Sequence, residues 1–174
     1  LKLPQQNIVV APSDSFVASK SLIERRVENE VERAIKLQNE GNFTSAANIY
    51  RRLLQIEEHN SNIWHLLGVT RHLQGYSGTG AKFISHAINL EKGNFVALYH
   101  QNLVEVCRNA GDLQCAYDSL LLTWDNQVPN LDHTRNLLND LIQIHEIEPV
   151  IAFYEKYGEH LLDPARVAVD ARNT

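Results

Sequence analysis

Glu40-Gly41-Asn42-Phe43, Gln74-Gly75-Tyr76-Ser77 and Ala110-Gly111-Asp112-Leu113 are three stretches of one 174-residue chain. Their glycines stand 34 and then 36 residues apart, a period of the size that marks helical repeat arrays. Each glycine lies between two segments whose apolar residues recur at three- and four-residue steps. Five residues after each comes a small residue (Ala46, Gly80, Ala116), and four further on a larger one (Tyr50, Ile84, Leu120). A glycine ends a helix by taking a left-handed conformation at little cost. A small side chain early in the next helix lets the two backbones approach, and the larger one fills the space one turn later. The repeated unit is therefore a helical hairpin, which buries its apolar faces only by stacking on its neighbours.

Outward from these turns, Leu22, Ile23, Val27, Val31, Ala34, Ile35 and Leu37 carry the helical period, so a helix is expected from Ser21 to Asn39, ending against Gly41. Before it, Pro4 and Pro12 and the polar run Gln5, Gln6, Asn7 read as an extended leader over residues 1–19. A helical repeat domain is expected over 20–164, with units at about 27–60, 61–94, 95–130 and 131–164. Residues 165–174 are read as a tail or the start of a further segment.

The second unit carries Trp64, Leu67-Gly68, Gly75, the small Gly80, Ile84, Ala87 and then Ile88-Asn89-Leu90-Glu91. The first matches it at Ala34, Gly41, Ala46, Tyr50 and Leu54, and the third at Leu103, Gly111, Ala116 and Leu120. The fourth matches only through Leu137, Leu138 and Leu141, with Pro149 opening its second helix before Val150 and Tyr154. In this pattern the chain resembles the tetratricopeptide repeat (TPR) family over residues 27 to about 160. It departs from that pattern where Glu58 and Lys92 replace the unit-closing proline. The resemblance implies an all-α, right-handed α-solenoid of three to four antiparallel hairpins that binds a peptide or protein segment on its concave surface. Trp64 is expected to pack between its own hairpin and the next.

Composition narrows the function classes. A hydrophobic fraction of 44% with 21% charged residues fits a folded globular chain. The net charge of −5 opposes a phosphate backbone, so no nucleic-acid partner is expected. No apolar run approaches the roughly 20 residues of a membrane-spanning helix. Two cysteines, Cys107 and Cys115, are too few for a disulfide framework, which points to a reducing, cytoplasmic setting, with Cys107 on the apolar stripe as a small hydrophobe. The sequence holds no methionine, so Leu1 is not expected to be the translated start.

Catalysis requires convergent groups, and no phosphate loop, paired Cys-x2-Cys or nucleophile elbow is present. Gly75-Tyr76-Ser77-Gly78-Thr79-Gly80 has the glycines of a phosphate loop but not its Lys-Ser/Thr ending, and it lies on an inter-helix turn; tight helix packing accounts for it. His65 and His72 are seven apart on one helix without a co-ligand within a turn, which argues against metal. No cofactor, no metal and no enzymatic activity are expected. The reading from the enzyme class is a substrate-recruiting repeat segment of a larger enzyme, such as a glycosyltransferase or sulfotransferase. Self-association through terminal hairpins is a third reading.

The family resemblance implies that ligand-facing residues lie on the first helix of each hairpin. The matching positions carry Asn62, His65, Val69 and His72 in unit two, Gln101, Asn102, Glu105 and Arg108 in unit three, and Arg135, Asn136 and Asn139 in unit four. Asn102 and Asn136 stand 34 residues apart and resemble two rungs of the asparagine ladder of O-linked N-acetylglucosamine transferases; Glu32 and Leu66 hold that place in units one and two. Amide side chains offer both donor and acceptor, which an extended peptide backbone requires. The lysines of the carboxylate clamp found in chaperone-binding members of the family are missing, so a C-terminal carboxylate is disfavoured as the ligand.

Overall fold

The computed structural model describes residues 14–93, 95–126 and 129–161, with side chains from Leu22 to Glu159 on those stretches. Eight helices occupy the described residues, without strand: α1 (Asp14–Asn39), α2 (Phe43–Leu54), α3 (Ser61–Leu73), α4 (Ser77–Leu90), α5 (Val96–Ala110), α6 (Leu113–Asp125), α7 (Leu131–Gln143) and α8 (Ile147–Leu161). The chain is an all-α helical repeat. Each helix packs on the next in sequence, and α5 also touches α3 and α7, so the first helices of the hairpins form a layer of their own.

The same turn closes all four hairpins. Gly41, Gly75 and Gly111 take φ of 79°, 86° and 81°. The backbone N–H of each reaches back three residues, and that of the following residue reaches back five (Gly41→Gln38 and Asn42→Leu37; Gly75→His72 and Tyr76→Arg71; Gly111→Arg108 and Asp112→Cys107). This is the paired bonding of a Schellman turn. His145 repeats it, with φ of 66°, His145→Ile142 and Glu146→Leu141. The fourth turn thus falls 34 residues after Gly111 on a histidine, a residue type among those that tolerate left-handed backbone. Side-chain caps hold the starts of α2, α3, α6 and α7, where Asn42, Asn60, Asp112 and Asn130 accept from the N–H three residues on.

Numbering from the turn residue puts equivalent side chains at equivalent depths. Ala46, Gly80, Ala116 and Val150, five residues after it, are all buried. Two core clusters result. One spans units one and two through Tyr50, Ile63 and Leu67, the other units two to four through Ile84, Leu103, Leu120, Leu137 and Phe153. Trp64 touches both. It is half-buried, its ring lies 5.4 Å from Phe83 and 4.8 Å from His86, and its Nε1 donates to the Glu58 carbonyl. Tyr50 is fully buried with its hydroxyl unpaired among the described residues, and burial pushes its pKa up to about 12.

Two expectations change. Helix α1 begins at Asp14, inside the stretch expected to be an extended leader; the leader expected over 1–13 and the tail expected over 165–174 lie outside the described residues. Cys107 and Cys115 form a disulfide that joins α5 to α6. The Gly111 turn between them folds the chain back and sets their Cα atoms 6.0 Å apart, a normal span for such a bond. A count of cysteines overlooked that geometry, and the pairing removes the support that free thiols gave to a reducing compartment. Among the described residues no helix is long and apolar enough to cross a membrane.

The tightest approach is between α3 and α4. A Cβ on Gly80 would stand 2.7 Å from the Gly68 carbonyl oxygen and 3.2 Å from the His72 nitrogen, both backbone atoms, whereas one on Gly78 would meet nothing. Gly80→Ala is therefore expected to cost about 1–3 kcal/mol in urea unfolding, because the helices must separate. Gly78→Ala should stabilise by roughly 0.5–1 kcal/mol through backbone entropy. Equal effects at the two positions would contradict the α3–α4 contact.

Candidate functional site

The first helices of the hairpins bring the expected ligand-facing residues into one layer, where several are engaged with each other. His65 of α3 is buried, its ring stacked 4.3 Å from that of Tyr99 on α5. Its Nε2 lies 2.9 Å from Asn102 Nδ2. An amide nitrogen only donates, so Nε2 accepts and the ring proton sits on Nδ1. Burial pushes the His65 pKa down to about 4, which keeps the ring neutral and the bond intact. Asn102 thus gives one of its two amide N–H groups to His65 and keeps its carbonyl oxygen for another partner.

Arg108 is the charged centre of the layer. Its Nε and Nη2 donate to both oxygens of Glu105 at 3.0 and 2.8 Å, and its Nη1 donates to Asp140 of α7 at 2.9 Å. The hydrogen bonds that Arg108 donates hold the Glu105 carboxyl below the usual range, and the accepting Glu105 carboxylate raises the Arg108 pKa in turn. Glu105 also accepts from Asn109. This half-buried fork ties unit three to unit four, with one cation shared by two carboxylates.

The remaining positions differ. His72 shares a hydrogen with Ser77 at 3.0 Å, and burial lowers its pKa. The Gln101 carbonyl accepts from His133 Nδ1 at 3.0 Å. Arg135 is exposed and paired with Asp132. Asn62, Asn136 and Asn139 are exposed. Arg135 and Asn139 also line a groove between α7 and α8 with Leu138, Ile142 and Tyr154. Upstream, Ile35, Leu66 and Val69 are half-buried and Leu73 exposed, so units one and two add an apolar strip to the layer, while units three and four are richer in amides.

Sequence reasoning missed Tyr99, His133 and Asp140 as partners of the layer. A signal existed in the repeat itself. Arg108 reaches Asp140 over 32 residues, and Thr70 reaches Gln38 over the same 32 at 2.6 Å. Both link the residue three before one turn to the residue five before the next. Among the described residues no group of three His, Cys, Asp or Glu stands as a metal cluster.

No protein-family model matches the chain, and no curated protein matches it. Among solved structures it is similar to PcrH in complex with the chaperone-binding region of PopD, at 17% identity and a TM-score of 0.53. The match covers 87% of this chain and 96% of that one. At that identity the likeness supports the helical-repeat fold.

The buried neutral His65 makes stability pH-dependent. Its folded pKa lies below the ordinary value near 6.5, so below that pH the unfolded chain takes up a proton that the folded chain refuses. Stability should fall as pH drops from about 6.5 to about 4, by roughly 3 kcal/mol from this residue, and level off below both values. Urea melts at pH 7, 6 and 5 check it. His65→Gln should flatten the slope by up to about 1.4 kcal/mol per pH unit; an unchanged slope would place the titrating group elsewhere.

Proposed function

We propose that the chain is an interaction scaffold that holds a peptide or protein segment of another polypeptide along the layer formed by α3, α5 and α7. The observation that carries this reading is the chemistry the layer has left over. Arg108, Glu105 and Asp140 satisfy each other, while the Asn102 carbonyl oxygen and the whole amides of Asn136 and Asn139 have no hydrogen-bond partner among the described residues. Unused amides at repeat-equivalent positions suit the alternating donors and acceptors of an extended backbone. The apolar strip of Ile35, Leu66, Val69 and Leu73 would take side-chain anchors from the same segment.

PcrH, which shares the fold, is described in complex with a segment of another protein, and that supports protein binding as the use of this layer. The reading includes no catalytic role and no cofactor. It includes no nucleic-acid partner, since a net charge of −5 opposes a phosphate backbone. With its charges already paired, the layer should bind with only a modest salt dependence.

A segment selected from a peptide-display library on the wild-type chain provides the probe for calorimetric titration. Asn102→Ala and Asn136→Ala should each weaken binding by about 1–3 kcal/mol, because each leaves a ligand group unpaired. Thermal melts of Asn136→Ala should stay close to wild type, its side chain being exposed. Wild-type affinity in both variants would show that the amides do not read the ligand.

A further inference from the structure

The two ends of the repeat array carry complementary unused surfaces. At one end, the residue nine positions after each turn is Tyr50, Ile84, Leu120 and Tyr154. The first three are 0%, 0% and 1% exposed, each under the following unit, whereas Tyr154 is 53% exposed. Ile151 is exposed beside it, at the place where Ala47 is buried in unit one. These two side chains and Ile142 form an apolar stacking face on α7 and α8, of the kind that a first helix covers in every earlier unit. Glu148 and Glu155 flank Ile151 and Tyr154 on α8, exposed and without an ion-pair partner among the described residues.

At the other end, α1 is 26 residues long, twice the 13 of α3 or α7. Val27 is its first buried residue among those described; Leu22 and Ile23 are about half exposed, and Arg25 and Arg26 are exposed, without an ion-pair partner among the described residues. The half of α1 before Val27 has the length of a unit's first helix, and Leu22, Ile23, Arg25 and Arg26 on it are bare.

We infer that a second copy of this chain supplies the missing cover: the half of α1 before Val27 docks on the α7–α8 face of another copy, with Leu22 and Ile23 against Ile151 and Tyr154. Arg25 and Arg26 then lie near Glu148 and Glu155, two cations meeting two carboxylates. The contact is head-to-tail, because the two surfaces sit at opposite ends of the array. It extends the stacking rule of the repeat from one chain to the next, and it borders the ligand layer proposed above, since Arg135 and Asn139 line the groove that holds Ile142 and Tyr154.

Sedimentation of the full chain over a concentration series tests it, with circular dichroism confirming that each variant stays helical. The mass of wild type should rise above 19.8 kDa as concentration increases. Arg25→Glu with Arg26→Glu, and separately Glu148→Arg with Glu155→Arg, should each weaken association about tenfold or more. A chain carrying all four changes should recover it, since the charges again oppose. A wild type that stays monomeric throughout would overturn the inference, as would wild-type association in both charge-reversed chains or no recovery in the fourfold variant. So would association by a chain ending at Leu161 but not by the full chain, which would assign the face to residues 162–174.

Discussion

Everything in this fold hangs on one backbone event repeated four times, the left-handed residue that closes each hairpin. Two hydrogen bonds fix it, from the turn residue and its successor back to the third and fifth residues before them. That geometry sets the phase of both helices at once. It decides which side chain of the second helix lies against the first, so Ala46, Gly80, Ala116 and Val150 all fall where space is smallest. At Gly68 and Gly80 the backbones come so close that neither position admits a Cβ without movement.

Phase within each hairpin becomes register between hairpins. The contact from three residues before one turn to five before the next occurs as Gln38–Thr70 and again as Arg108–Asp140, with different chemistry in the same geometry. The first is an uncharged bond against a fully buried threonine; the second is an ion pair in which Arg108 also holds Glu105. The same register sets Asn102 and Asn136 at equivalent points one unit apart. Their surroundings differ. Asn102 is held by a neutral histidine under an aromatic ring, and Asn136 stands open.

Much of this was legible in the sequence because glycine spacing and small-large alternation report backbone geometry directly. The repeat, its all-α class and the closeness of α3 and α4 all follow from residues whose physical options are few. The fourth turn was illegible because histidine, unlike glycine, has no strong preference for the left-handed region, so in sequence the last unit matches only through its leucines while His145 takes the place of the turn glycine. The disulfide was missed because spacing alone does not show that Cys107 and Cys115 face each other across a turn. The layer was read as a row of independent ligand-facing groups; in fact His65 and Arg108 bind neighbours one unit on, and no sequence pattern distinguishes a side chain reaching for a ligand from one reaching for the next helix.

The claim that this layer holds another polypeptide is tested most directly on its own amides. In the nitrogen-15-labelled chain, the side-chain amide resonances of Asn102 and Asn136 can be followed as a segment selected for binding is titrated in. Both are expected to shift along one saturation curve, while the amide of Asn89, exposed on α4 away from the layer, stays in place. Movement of Asn89 with Asn102 and Asn136 unshifted would put the bound segment on the outer helices and contradict the assignment of the ligand to α3, α5 and α7.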